Sequence, residues 1–494
     1  MQDSHVPGTP PRQPLVVPSR SDALLRRLTE PAGGPMGRRT APGRTDPGFF
    51  TVERVLVIMT AFAALLAVMA KGHCRTTGWN TPDQQSTVCW SMFPNAYVEH
   101  RLDVVFPFFG QGSNFDQSVV AGSVAGATAW LTRSSGEGAL RQLAFFDLNA
   151  ALIAVLWIAV VILLARSAGR RPWDAAIVAV SPVLILTAFA SWEMWAVALA
   201  VLGLYLFVRM RTLWAGVFFG LSALASPFGA VVLVALLFLG FRTGRATRML
   251  EMLAAAILAW VLALAPLMAR NPPAFPLYIR GLFAAEASDS SLYGGWNLVA
   301  GRMALPLLGP AAATAVAVVL VLAVLAGVAC LALYTPRTPR VAQLVFLAVA
   351  GCQLVGKDAQ PWHAVWLVPL VALALPRWRP VLLWQVALVA HFIALMLFQS
   401  KVLGGISNQH AIDTPYFVIS ALVAGCATGA LMVLVIRDMF APAHDVMRRG
   451  GVEDPQAGAL QGPPSDPRHA LVSQSRETKH QRIQAPAGIG GRPA

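Results

Sequence analysis

Seven carboxylates could do chemistry in this sequence: Glu99, Asp103, Asp116, Glu193, Glu286, Asp289 and Asp358. They stand out because only 13% of the residues are charged. A carboxylate within reach of a hydroxyl can take its proton, so acids gathered on one face point to general base catalysis. Asp116 or Asp103 is the candidate base, with Glu193 as an orienting or second acid. Glu193 is the sharpest single signal, because it sits between Trp192 and Met194 at the mouth of two apolar runs. A charge there is costly without a partner or a water-filled cavity, although a helix-end carboxylate wetted at the interface also fits the position. Cations nearby could hold a phosphate: Lys357 as a point charge, Arg280 and Arg302 as planar forks. Lys357 beside Asp358 equally suits a surface pair with a snorkelling stem. Trp192 and His363 complete the substrate-binding candidates.

Other chemistries lack their residues. The chain has no Gly-x-x-x-x-Gly-Lys-Ser/Thr loop, no His-Glu-x-x-His and no Cys-x-x-Cys, so nucleotide hydrolysis and zinc catalysis have no motif behind them. His100 and His363 are isolated in sequence, and no metal ligand is assigned. Acids do not line the middle of successive apolar runs, as a proton-driven transporter usually needs.

The elements that must position these residues are apolar. Of 494 residues, 56% are hydrophobic and the mean hydropathy is positive, which identifies an integral membrane protein despite a length that could hold two or three soluble domains. The expected fold is an all-α polytopic membrane protein with about twelve transmembrane helices. The net charge of +14 does not signal nucleic acid, because the arginines fall in short loops beside apolar runs, where they set orientation. A first run, Val55 to Ala70, follows the basic residues 1–50 and leaves them cytoplasmic. The runs Leu143–Ala165, Ala175–Ala190, Trp195–Val208, Leu213–Ala225, Phe228–Phe241 and Met249–Met268 then alternate, as do Leu307–Leu333, Val341–Val355, Val365–Leu375, Val381–Phe398 and Tyr416–Ile436. Each cytoplasmic turn carries at least two arginines, so both termini are expected inside, and all seven acids fall on the extracytoplasmic face. Val119 to Leu131 is short and rich in small residues, and is read as a re-entrant or interfacial helix. Within the membrane domain, residues 51–437, two outer loops are expected over 71–141 and 270–305. Residues 1–50 and 438–494 are polar and rich in Pro and Gly, a composition that does not fold alone.

Three of the five cysteines, Cys330, Cys352 and Cys426, lie in apolar runs and behave as small hydrophobes. Cys74 and Cys89 share the first outer loop. They either stay as free thiols or, in an oxidising compartment, close a loop of about fifteen residues, which stabilises by about 3 kcal/mol.

Several segments together resemble the actinobacterial membrane proteins of glycosyltransferase family 87, polyprenol-phosphate-mannose-dependent mannosyltransferases of the GT-C fold. The resemblance runs from about Glu53 to Asp454. It rests on Cys74, Cys89-Trp90-Ser91, Pro94 and Tyr97; on Arg171-Pro172-Trp173-Asp174-Ala175-Ala176 with Ser181-Pro182; on Ser191-Trp192-Glu193; on Leu213 to Ala225; on Lys357 with Pro361; and on Arg437-Asp438 with Glu453-Asp454-Pro455. It implies a GT-C-like enzyme with an extracytoplasmic catalytic face and an acidic base in the first outer loop. Where the family has an Asp after Cys-aromatic-Ser, this chain has Met92. A Glu-Tyr-Pro-Val pattern is Asp116-Gln117-Ser118-Val119 here, Asn-Trp-Asp is Ser191-Trp192-Glu193, and a Lys before a membrane-mouth Pro is Ser226.

The expected function is transfer of a sugar, mannose by family analogy, from a polyprenyl-phosphate donor to an extracytoplasmic glycan or lipid acceptor at the plasma membrane. The lipid-linked sugar is a co-substrate and no other cofactor is implied. Partners are the donor, the acceptor and membrane lipids, not nucleic acid. Two alternatives belong to other classes: a catalytically inactive scaffold or binding subunit in envelope assembly, and a lipid-linked-sugar transporter.

Overall fold

A computed structural model describes residues 15–29, 50–110, 113–404, 411–448 and 454–461. Among them all regular structure is helical. The principal helices are α1 (Val52–Met69), α2 (Met92–Glu99), α3 (Val119–Leu131), α4 (Ala139–Ser167), α5 (Pro182–Thr187), α6 (Glu193–Val208), α7 (Thr212–Ala225) and α8 (Pro227–Arg242). They continue with α9 (Ala246–Arg270), α10 (Ala274–Ala284), α11 (Leu292–Met303), α12 (Pro310–Tyr334), α13 (Val341–Val355), α14 (Ala364–Ala374), α15 (Trp378–Gly404) and α16 (Thr414–Phe440).

Six of these, α1, α4, α9, α12, α15 and α16, are long and apolar enough to cross a membrane. Their outward faces are bare hydrocarbon: Leu262, Val319, Leu383 and Val433 are all more than 60% exposed. Water does not tolerate such a surface and lipid does, so the architecture is that of a polytopic membrane protein. The other expected crossings are shorter. Helices α6, α7, α8 and α13 have 14 to 16 residues, about 21–24 Å at 1.5 Å per residue against a hydrocarbon core of about 30 Å. Helices α13 and α14 are buried along most or all of their length, so protein packs around them. The expected run Ala175–Ala190 is broken. It divides into a 3-10 turn at Pro172–Ala175, a short helix at Ala176–Ala179 and α5, because Pro182 has no amide to continue the ladder and Ser181 caps α5 instead.

Small residues let backbones close. A side chain at Gly216 or Gly220 of α7 would collide with the carbonyls of Met252 and Ala256 on α9, the close crossing that a small-xxx-small pair permits. Gly122 and Gly126 of α3 likewise seat the rings of Phe108 and Phe106.

The bundle has two polar faces. One carries residues 71–118 and, in place of an irregular second loop over 270–305, the helices α10 and α11. The other is arginine-rich. There Arg166 pairs with Glu53 at 2.9 Å, Arg377 with Asp438 at 2.8 Å and the fully buried Arg340 with Asp445 at 2.7 Å. Parts of both compositional tails are docked on this face. Residues 15–29 form two short helices, Pro18–Ser21 and Ala23–Thr29, and the Val16 amide donates to the Arg170 carbonyl at 2.8 Å. Residues 454–461 lie across the ends of four helices: Asp454 accepts from the Val341 amide at 2.9 Å, Gln456 donates to the Ser167 carbonyl at 2.8 Å, and Arg245 donates to the Gln461 carbonyl at 2.8 Å. Gly458 takes a φ of +39° and passes so close to Phe207 that a side chain would meet its carbonyl. The remainder of both tails, with Arg38, Arg39, Arg44 and Glu453, lies outside the described residues.

Candidate functional site

The segment after α1 is stapled down before it contributes to a site. Cys74 and Cys89 are joined in a disulfide with Cα atoms 5.9 Å apart. Ser91 caps α2 through the Phe93 amide and donates to the Phe189 carbonyl at 2.7 Å, while the Met92 amide donates to the Ala190 carbonyl at 2.9 Å. Trp90 stacks on Trp362 with centroids 4.8 Å apart, and its carbonyl accepts from Lys71 Nζ at 2.8 Å. The Lys71 side chain is fully buried, its ammonium 5.8 Å above the Phe392 ring, and burial pushes its pKa down to about 7.

On this platform α2 forms one wall of a cavity of about 480 Å³, lined by Gln84, Asn95, Glu99, His100, Asp116 and Gln142 among others. Asn95 and Glu99 are four residues apart and share a face of α2. His100 ends that helix and is buried, its ring edge against Phe115 at 5.0 Å. Its Nδ1 faces Asn114 Oδ1 at 3.2 Å and its Nε2 faces Asp116 Oδ1 at 3.3 Å. With an oxygen at each nitrogen, the ring is fully satisfied only as the doubly protonated imidazolium. Burial opposes that charge, but the hydrogen bonds to Asp116 and Asn114 and the nearby carboxylates outweigh it and raise the His100 pKa. Burial likewise pushes Asp116 up, and hydrogen bonds from His100 and Gln117 overcome it, holding the carboxyl below its usual range. The Asp116 side chain remains 66% exposed.

A second group of polar atoms adjoins the first. Glu193 opens α6, where a helix N-terminus favours negative charge, and its Oε2 accepts from Trp366 Nε1 at 2.6 Å. Phe228 packs edge-on against Trp366 at 5.8 Å and His363 at 5.7 Å. Ser226, just before α8, is buried, and its hydroxyl has no hydrogen-bond partner among the described residues. Tyr278 of α10 meets Phe108 edge-on at 6.1 Å. Burial pushes the Tyr278 phenol up to about 12, and the charges of Glu193, Asp116 and Asp358 add to that rise. Three acids from segments far apart in sequence thus lie within electrostatic reach of a single phenol.

The other sequence candidates are placed differently. Lys357 does not point at an open site. Its ammonium donates to the carbonyls of Phe283 and Ala285 and to Thr314 Oγ1, each at 2.9 Å, so it clamps the end of α10 to α12. Burial lowers its pKa, against the charge of Asp358. Trp192 is buried, donates to Asn149 Oδ1 at 2.9 Å and packs on Phe93 at 4.7 Å, which makes it part of the core. His363 is buried at the start of α14, with Nδ1 3.4 Å from the Gln360 amide. Asp103 is exposed away from the cavity lining, and its carbonyl accepts from Arg141 at 3.4 Å. Arg280 is exposed on α10, two residues from Tyr278, and has no ion pair among the described residues. Arg302 pairs with Asp413 at 3.0 Å.

Sequence reasoning missed the His100 contact with Asp116, the buried Lys71, and Tyr278 as the meeting point of the acids. No family model matches the chain, and no curated protein matches it.

Proposed function

We propose that this protein is a membrane glycosyltransferase that moves a sugar, mannose by the resemblance of its motifs, from a polyprenyl-phosphate donor to a hydroxyl of a glycan or lipid acceptor. In this reading the chain crosses the plasma membrane about twelve times in a GT-C-like arrangement. The shorter apolar helices supplement the six long ones, the arginine-rich face and both termini are cytoplasmic, and the acidic cavity is extracytoplasmic. One observation carries the reading: Asp116, Glu193 and Asp358, from three separate segments, all help to raise the pKa of the partly buried Tyr278, and Asp116 borders a cavity of about 480 Å³.

The chemistry follows from those groups. Asp116, kept ionised by His100, takes the proton of the acceptor hydroxyl, and the freed oxygen attacks the anomeric carbon. The bond from that carbon to the phosphate oxygen breaks, and its electron pair leaves with polyprenyl phosphate. The phosphate charge is met by Arg280, since the Lys357 donors are already occupied. Glu193 orients the sugar hydroxyls.

Membranes containing the protein are incubated with radiolabelled polyprenyl-phosphate mannose. Wild type transfers the label, and Asp116→Asn lowers the rate by about 10²–10⁴, the range for loss of a general base. Absence of transfer by wild type, or unchanged transfer in the Asp116→Asn/Glu193→Gln double variant, refutes the reading.

A second reading has its own observation. Met92 lines the same cavity, at the position where the family pattern has an acid, which suits a binding or scaffold subunit that has lost its base. Transfer gained only by Met92→Asp favours that reading.

A further inference from the structure

The larger cavity lies on the arginine-rich face and takes no part in the proposed reaction. Its volume is about 960 Å³, and Arg170, Arg171, Arg377 and Arg379 line it with Trp378. Asp22 is the one acid in the lining, and its carboxylate is turned to the Leu24 and Leu25 amides at 2.8 and 3.2 Å. Arg171 is paired with Asp174 at 2.5 Å and Arg377 with Asp438 at 2.8 Å. Arg379 differs from both: it is exposed and has no ion pair among the described residues. The rest of the wall is largely apolar, with Val16, Pro18 and Met447 facing Pro376 and Pro380. A basic rim over apolar walls fits an amphiphilic anion.

The position of the cavity says which one. Arg379 lies in the first turn of α15, a long apolar helix. Positions 383, 386 and 390 follow it at helical spacing, and Leu383, Val386 and Ala390 are all exposed. One stripe of α15 therefore runs from a free guanidinium down an apolar face, with Trp378 at the boundary, where indoles collect in membranes. We propose that this cavity binds the phosphate headgroup of an anionic phospholipid, with Arg379 as the principal contact and the acyl chains lying along Leu383, Val386 and Ala390. Basic pockets at the ends of membrane helices hold anionic headgroups in this way.

The test uses the full chain in nanodiscs and brominated lipids, which quench nearby tryptophans. Wild type minus Trp378→Phe isolates the signal at the cavity. The expected result is stronger quenching by brominated phosphatidylglycerol than by brominated phosphatidylcholine. That preference falls about fivefold in Arg379→Gln, the factor one interfacial arginine contributes, and stays unchanged in Arg133→Gln on the opposite face. Size-exclusion profiles check that each variant folds. Three results overturn the proposal: equal quenching by the two lipids, an Arg379→Gln variant no different from Arg133→Gln, or loss of the preference when inorganic phosphate is added at constant ionic strength. The last marks a site for soluble phosphate instead.

Discussion

Arg340 is a fully buried cation, and its removal tests whether a closed polar network holds the arginine-rich face together. Its Nε and Nη2 donate to the two oxygens of Asp445 at 2.7 and 3.2 Å, and Nη1 and Nη2 donate to the carbonyls of Leu373 and Ala374 at 2.9 and 2.7 Å. Asp445 also accepts from Gln343 at 3.2 Å and from the Met447 amide at 3.0 Å. Both charged side chains are at most 1% exposed. Arg340→Met keeps most of the volume but leaves the buried Asp445 with only the longer contact to Arg448 at 3.7 Å, and breaking a buried pair in this way costs up to about 3–5 kcal/mol. It also orphans the carbonyls that end α14, at about 1–3 kcal/mol for an unsatisfied buried group. Arg340→Met/Asp445→Leu removes both members of the pair, so the cost that remains is that of neutral groups left unpaired, the two carbonyls and the Gln343 and Met447 donors, together with the lost Arg448 contact, and the double variant is more stable than the single one. Unfolding by titration with sodium dodecyl sulfate in mixed micelles, followed by tryptophan fluorescence, gives the free energies for the cycle. A cost below about 1 kcal/mol for Arg340→Met would mean that the network is dispensable. A double variant as unstable as the single would show that the unpaired neutral groups, and not the stranded charge, dominate.

Lys71 supplies a prediction about pH. Its native pKa is about 7 against an ordinary 10.5, so between those values the unfolded chain binds a proton that the native protein does not. The Lys71 contribution to stability therefore rises with pH by about 1.4 kcal/mol per unit across that window and is flat below it. Lys71→Met should remove that part of the slope in the same micelle titration, and equal slopes would refute the assignment. Replacing Cys74 and Cys89 together by Ser should destabilise by about 3 kcal/mol, the value for a loop of this length, and reducing agent should then have no further effect on the variant. Gly220→Leu should break the crossing of α7 and α9, since even its Cβ would overlap the Ala256 carbonyl. A loss of about 1–3 kcal/mol or more is expected for such overpacking, and an unchanged unfolding midpoint would refute the packing argument.

The sequence made the coarse fold legible because hydrocarbon thickness and arginine placement leave marks that survive without any knowledge of contacts. Long apolar runs became α1, α4, α9, α12, α15 and α16, and Ser226-Pro227 marked a tight turn correctly. The small residues of α7 were visible, but their partner carbonyls on α9 were not. The site was less legible, and the reason is chemical. Lys357 looked like either a phosphate contact or half of a surface pair with Asp358, yet the lysine is held by two carbonyls and a hydroxyl more than forty residues away in sequence. Nothing in the sequence singled out Lys71, yet it is buried on the carbonyl of Trp90. Backbone carbonyls carry no sequence signature, so a cation that ends on them cannot be told in advance from one that waits for a ligand. Once the contacts are known, the distinction becomes a criterion. Lys71, Lys357 and Arg340 spend their donors on carbonyls and so belong to the fold. Asp116 keeps an exposed carboxylate, Arg280 keeps an unpaired guanidinium, and Asp358 is exposed beside the committed lysine. Of these open charges, Asp116 and Asp358 both add to the rise of the Tyr278 pKa, so two segments far apart in sequence lie within electrostatic reach of one phenol, a convergence that no spacing in the sequence announces.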